Sequence, residues 1–159
     1  MCDVAPEARF TKGFPFSPDG TPVGKRPRGI GVLPDGSKAY VASEFASKIY
    51  VIDMATMAVT KVLQGGNFSN GVAVTPDGQR VFISNGKEAS VSAIDTATDE
   101  IIGTIPVGKR PWNMAITPDG RKLYVACGRS DAVFVIDTQA WKAIGEIKVG
   151  QLPWGVAIR

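Results

Sequence analysis

The sequence predicts an all-β fold made of repeated four-stranded antiparallel sheets, and three observations predict it. Two landmarks recur at one spacing of 42 residues: Pro-Asp-Gly at 34, 76 and 118, and "VID", "AID" and "VID" ending at Asp53, Asp95 and Asp137. Self-similarity at a fixed period marks a repeat architecture more strongly than any single motif. The third observation is that each unit divides into strand-length runs rich in Val, Ile, Tyr and Phe, with turn residues between them.

Within a unit each element has its own reason. Glycine opens the unit, at Gly24, Gly66, Gly108 and Gly150, and Pro27, Pro111 and Pro153 start an inner strand where no ladder N–H is needed. Pro-Asp-Gly then turns the chain: Pro fixes φ at the start, Gly takes the positive φ at the end, and Asp bonds the backbone ahead of it. A second strand follows, marked by Tyr40, Phe82 and Tyr124, each followed by Val or Ile. The third strand, "AVFVI" at 132 to 136, is apolar at nearly every position, the pattern of a strand covered on both faces. Asp53, Asp95 and Asp137 suit an Asx turn into the fourth strand. In the third unit the four strands read "WNMAIT", "KLYVAC", "AVFVID" and "AIGEIKV".

Four strands in about 42 residues is the period of a β-propeller blade. The expected fold is therefore an all-β β-propeller of three complete blades, about 24–65, 66–107 and 108–149, plus one inner strand from a partial unit at 150–159. Residues 1–22 lie outside the repeat, and their "SPDG" at 17–20 is out of phase with it. Three blades and a strand do not close a ring, since closed propellers usually have four to eight blades. The expectation is a fragment of a longer propeller, or a half-ring that dimerises, with association through open blade edges.

Composition narrows the function. The chain has 159 residues and a net charge of +3, with 18 basic and 15 acidic residues, and its aromatic residues are not interleaved with basic runs, so nucleic-acid binding is not indicated. Histidine is absent, which removes the commonest general base, the commonest transition-metal ligand and the Cys-x-x-Cys-His haem motif. No apolar run is long enough to span a bilayer, and "MCDVAPEARF" lacks the features of a signal peptide. Cys2 and Cys127 are read as unpaired, with Cys127 a small buried hydrophobe. Neither Cys nor Ser has a visible base partner, and no glycine-rich phosphate loop leads into a helix, so no catalytic residue is assigned.

If successive strands are antiparallel, the loops before the first and third strands of every blade share one face. That face gathers Lys25, Arg26, Arg28, Lys48, Lys87, Lys109, Arg110 and Arg129 against Glu44, Glu88 and Asp131, a surplus of five positive charges. A cationic mouth favours anionic small molecules or an acidic protein partner, although Lys and Arg also suit any solvated loop. Trp112 and Trp154 occupy one repeat column with Arg28 and Asn70, placed either to stack on a ligand or to pack on a neighbouring loop. Trp141 falls in an outer turn and reads as blade packing. Asn67, Asn70 and Asn113 with Glu44 offer oxygen ligands for a hard cation such as Ca²⁺, at a spacing that matches no known loop. The candidate binding face is thus Lys25, Arg26, Arg28, Asn70, Lys109, Arg110, Trp112, Asn113 and Trp154.

The run Gly-x-x-Pro, apolar strand, Pro-Asp-Gly, "LYVA", "VID" and "IPV" resembles the YVTN family of bacterial β-propeller repeats over residues 23–159. The wording "VGKRPRGI" and "VGQLPWGVAI" is most similar to the propellers associated with PQQ-dependent alcohol catabolism. That resemblance implies a periplasmic, non-catalytic binding or scaffold propeller accessory to quinoprotein oxidation. The tryptophan-docking pattern of quinoprotein dehydrogenases is missing and the histidines that haem d1 or copper would need are absent, so no cofactor is expected. The alternative is a lactonase-like or sugar-acid hydrolase propeller in which a divalent metal supplies the base, and a surface-associated adhesive propeller is a third possibility.

Overall fold

The computed structural model describes residue 24 and residues 26–159; the segment 1–23, with Cys2, and Lys25 lie outside the described residues. Three four-stranded sheets follow one another along the chain, each a simple antiparallel meander. The first blade contains β1 (Pro27–Val32), β2 (Lys38–Ser43), β3 (Lys48–Asp53) and β4 (Ala58–Gln64). The second contains β5 (Ser69–Val74), β6 (Arg80–Asn85), β7 (Ser90–Asp95) and β8 (Glu100–Pro106). The third contains β9 (Pro111–Ile116), β10 (Lys122–Cys127), β11 (Ala132–Asp137) and β12 (Lys142–Lys148), with one 3₁₀ turn at Gly128–Ser130.

The innermost strands β1, β5 and β9 stand side by side, so the blades stack around a common axis. Their close approach depends on missing Cβ atoms. A Cβ at Gly29 would lie 2.3 Å from the Asn70 carbonyl oxygen, and one at Gly71 would lie 2.3 Å from that of Trp112. Ser84 closes the second contact, its hydroxyl donating to Trp112 O at 2.6 Å and accepting from Gly71 N.

The core consists of apolar layers between blades. Tyr40, Ala42, Ile49 and Val51 pack against Val81, Ile83 and Ile94, while Phe82, Val91, Ala93 and Ile105 pack against Leu123, Val125, Cys127 and Ile136. Tyr40 and Phe82 hold the same repeat position and are fully buried, each contributing about 1.5–3 kcal/mol by leaving water. Strands β2 and β3 are buried on both faces, whereas β11, expected to be so from "AVFVI", leaves Val133 and Phe134 partly exposed because no further blade covers the third among the described residues.

The turns form as their residues dictate. Gly36, Gly78 and Gly120 end the Pro-Asp-Gly turns at φ of 72°, 70° and 70°. The Asp35, Asp77 and Asp119 carboxylates accept from the amide two residues ahead, and those of Asp53, Asp95 and Asp137 accept from two successive amides of the next hairpin. Both aspartate sets therefore build turns.

One expectation is corrected. Residues 150–159 form no paired strand, because an inner strand takes its ladder from the second strand of its own blade, and the 159 residues include none for this unit. The segment is held by single contacts instead: Trp154 O accepts from Asn113 N at 3.4 Å, and Leu152 N donates to Asp131 at 2.9 Å.

Candidate functional site

The loops before the first and third strands of each blade converge on one face, as the antiparallel order requires. Residues 26, 68 and 110 open the inner strands there and residue 152 holds the same repeat position; Arg26, Phe68, Arg110 and Leu152 all adopt left-handed backbone, with φ of 61°, 63°, 58° and 51°. Across from them, Glu44, Gly86 and Gly128 occupy a second column. Their amides donate to the carbonyls of Arg26, Phe68 and Arg110 at 3.0, 2.9 and 3.0 Å. The frame is identical in the three blades, and only the first puts a carboxylate on it.

That carboxylate is the centre of the site. The Glu44 side chain is 2% exposed and is reached by Arg26 Nε at 3.2 Å, Arg28 Nε at 3.3 Å and Arg110 Nη2 at 3.6 Å. Arg26 and Arg28 come from the first blade, like Glu44 itself, and Arg110 from the third, so the carboxylate ties the first blade to the third at the inner-strand ends. Oε2 makes no hydrogen bond of good geometry despite its two short ion-pair contacts. Charge, rather than aligned hydrogen bonding, holds this oxygen, and it retains acceptor capacity. Three guanidiniums against one carboxylate leave the centre with excess positive charge.

Aromatic rings support the cations. Arg26 lies over Phe45 at 4.7 Å, Arg110 and Lys87 over Phe68 at 5.1 and 4.1 Å, and Arg28 over Trp154 at 5.3 Å. Contacts of this kind contribute about 0.5–2 kcal/mol, more as water is excluded. Phe45 and Phe68 meet edge to face at 5.6 Å.

The predicted residues separate as follows. Arg26, Arg28 and Arg110 meet at Glu44, while Lys109 enters an adjoining cleft with Lys87 and Arg129. Asn70 is buried in β5 and Asn113 is exposed in β9. Trp112 packs on Gly128, whose Cβ would come within 2.2 Å of its ring, and against Trp154 at 4.6 Å between centroids. Trp112 thus follows the packing reading, whereas Trp154 stays 53% exposed at the rim. Trp141 packs against the core of the second and third blades and beneath Arg80.

The hard-cation reading is corrected. Glu44, its only charged ligand, is enclosed by three guanidiniums that would repel a metal ion, and no group of three His, Cys, Asp or Glu side chains occurs among the described residues. The residues present do not fit a divalent metal at this centre.

Phe45, Phe68 and the central role of Glu44 were missed by sequence reasoning. The signal lay in the columns: 44/86/128 reads Glu, Gly, Gly, and 26/68/110 reads Arg, Phe, Arg. Cys127 is buried beneath this face, and burial pushes its thiol from the usual 9.0 up to about 12, so it is no nucleophile at neutral pH.

A second cleft, of about 350 Å³, lies on the opposite face between the second and third blades. Its carboxylates Asp77 and Asp119 are committed to Thr75, Thr117 and the turn amides, so it belongs to the turn scaffold.

Stacked four-stranded meanders around an axis, with a cluster of charged side chains where the inner strands begin, define a β-propeller. The sequence matches the family described as lactonase, 7-bladed beta-propeller, over residues 12–147. The chain belongs to that family. Among solved structures it is similar to hydrazine synthase of Kuenenia stuttgartiensis, at 30% identity and a TM-score of 0.78, over 81% of this chain and 38% of that one. It is also similar to a putative 6-phosphogluconolactonase of Bacteroides fragilis, at 25% identity and a TM-score of 0.72, over 81% of this chain and 40% of that one. The chain thus spans about two fifths of the length of these solved chains. No curated protein matches it. The resemblance to YVTN repeats is supported at the level of the β-propeller, and nothing in these matches is specific to quinoprotein systems.

Proposed function

We propose that this chain carries the reactive face of a lactonase-type propeller that hydrolyses a lactone bearing an anionic group. The observation that carries the reading is the convergence of Arg26, Arg28 and Arg110 on the buried Glu44. Membership of the lactonase family and likeness to a putative 6-phosphogluconolactonase support it, and favour hydrolysis over the quinoprotein scaffold role.

The residues suggest a division of labour. Arg26, 47% exposed, is the side of the cage that an entering ligand displaces. An anionic substituent then replaces part of the charge compensation that Glu44 gives the guanidiniums. Glu44 takes a proton from a water attacking the lactone carbonyl, and the N–H groups of Arg28 and Arg110 face the oxyanion that develops. When the tetrahedral species collapses, the ring C–O bond breaks and the leaving alkoxide recovers that proton from Glu44. The product is a hydroxy acid, with one water consumed and no redox change.

Comparing lactones of one ring size, with and without an anionic substituent, tests the reading. The anionic compounds are expected to have the lower KM, rising with ionic strength as charge is screened. Equal turnover of neutral and anionic lactones, or no hydrolysis of either, would remove it.

A further inference from the structure

Beside the Glu44 centre, between the second and third blades, an open cleft of about 530 Å³ is lined by Phe68, Gly86, Lys87, Lys109, Arg110 and Arg129. Four of these residues are cationic and none is acidic. Lys87, Lys109 and Arg129 make no ion pair among the described residues, and Arg110 shares Glu44 with two other arginines. Glu88, the nearest acid in sequence, has its carboxylate oriented by Asn67 N at 2.8 Å. The Phe68 ring offsets part of the mutual repulsion by lying under Lys87 and Arg110.

The repeat shows what is missing. In the first blade this position on the frame carries Glu44, which compensates its arginines from within. In the second it is Gly86, where an added Cβ would point to within 3.7 Å of Arg110 Nη1. The cleft is therefore built like the Glu44 cage with its carboxylate removed, and it is open to solvent.

We infer that this cleft binds a dianionic oxyanion of the phosphate class, which takes the place of the absent carboxylate and ties the second blade to the third. A dianion matches a surplus that one carboxylate would leave unbalanced, and guanidinium and ammonium donors together suit tetrahedral oxygens. The same chemistry is offered by free orthophosphate and by the phosphomonoester end of an organic ligand. The inference rests on reading this face as the ligand face, but its test reads binding and is independent of lactone turnover.

Titration calorimetry and thermal unfolding of the full chain test it, with inorganic phosphate and a sugar phosphate compared against chloride at equal ionic strength. Phosphate is expected to bind and to raise Tm where chloride does not. The double variant Lys109→Gln/Arg129→Gln is expected to bind at least about tenfold more weakly, as charge-assisted hydrogen bonds are lost. Gly86→Glu, supplying the carboxylate internally, should abolish the phosphate-dependent rise in Tm, while Gly86→Gln should retain most of it. Equal affinity for the two phosphates identifies the free dianion as sufficient, and tighter binding of the ester identifies an organic ligand; both support the site. A Tm rise that is the same for chloride and phosphate, or unchanged in both Gly86→Glu and the double variant, would overturn it.

Discussion

Glu44 shows how a single residue turns a repeated frame into a site, because its backbone amide does what Gly86 and Gly128 do while its side chain does something neither can. Glu44→Gln removes a buried charge whose three partners are partly exposed, so water takes up some of the loss. A destabilisation of about 1–3 kcal/mol is expected, below the figure for a fully buried pair. Denaturant unfolding of the variant checks it. At Gly128 the constraint is steric: Gly128→Ala sets a methyl 2.2 Å from the Trp112 ring and should cost about 1–3 kcal/mol by overpacking. Cys127 gives a pH signature. Its thiol ionises near 9.0 in the open chain and near 12 when folded, so its share of stability is full below pH 9 and is lost as pH rises from 9 to 12. Cys127→Ala should flatten that part of the alkaline decline, seen by comparing unfolding midpoints of the two proteins. None of these roles follows from residue type. They depend on which repeat column a residue occupies, and the columns were legible while the side-chain distances were not.

Between blades the contacts are paired solutions to one geometric problem. At the first junction Lys38 donates to Thr96 O and Asp99 at 2.9 and 2.8 Å, and the buried Tyr40 hydroxyl donates to the same carboxylate. At the second junction the equivalent trio is Arg80, Phe82 and Trp141, with Arg80 over the indole at 5.0 Å. The hydroxyl and its acceptor are present together or absent together. Asp99→Ala alone should destabilise by about 1–3 kcal/mol, since it orphans the Tyr40 hydroxyl, and the combination with Tyr40→Phe should recover part of it. A double-mutant cycle measures that coupling. The hairpin turns answer to acid. Hydrogen bonds from the amides of Ser37, Thr56, Thr98 and Ala140, and from the hydroxyls of Thr75 and Thr117, hold Asp35, Asp53, Asp95, Asp137, Asp77 and Asp119 below the usual 3.8. Their contribution is present above 3.8 and is lost as pH falls through the lower folded values, so unfolding midpoints should drop on going from about pH 6 to about pH 3. Strands and turns were readable because Pro, Gly and Asp act locally. The junction trios were not, since Asp99 and Trp141 acquire meaning only from the neighbouring blade.

At the scale of the molecule, the order of twelve strands in three meanders was legible from the period alone, and so was the face on which the cations collect. The terminal strand failed for a cooperative reason: its sequence suits an inner strand, but a strand needs a partner. The same dependence appears in β1, where Ile30 and Val32 are 57% and 44% exposed while β5, flanked by a blade on each side, is largely buried. Function was only partly legible, because composition displayed a positive face but not the one carboxylate around which it is organised. The central claim is that this carboxylate, caged by Arg26, Arg28 and Arg110, is the base of a lactone hydrolysis. Its most direct test is kcat for an anionic lactone in the wild-type protein and in folded Glu44→Gln. The account predicts a fall of about 10²–10⁴-fold with the fold intact, the range general-base catalysis supplies. A Glu44→Gln protein that turns over at the wild-type rate would contradict it.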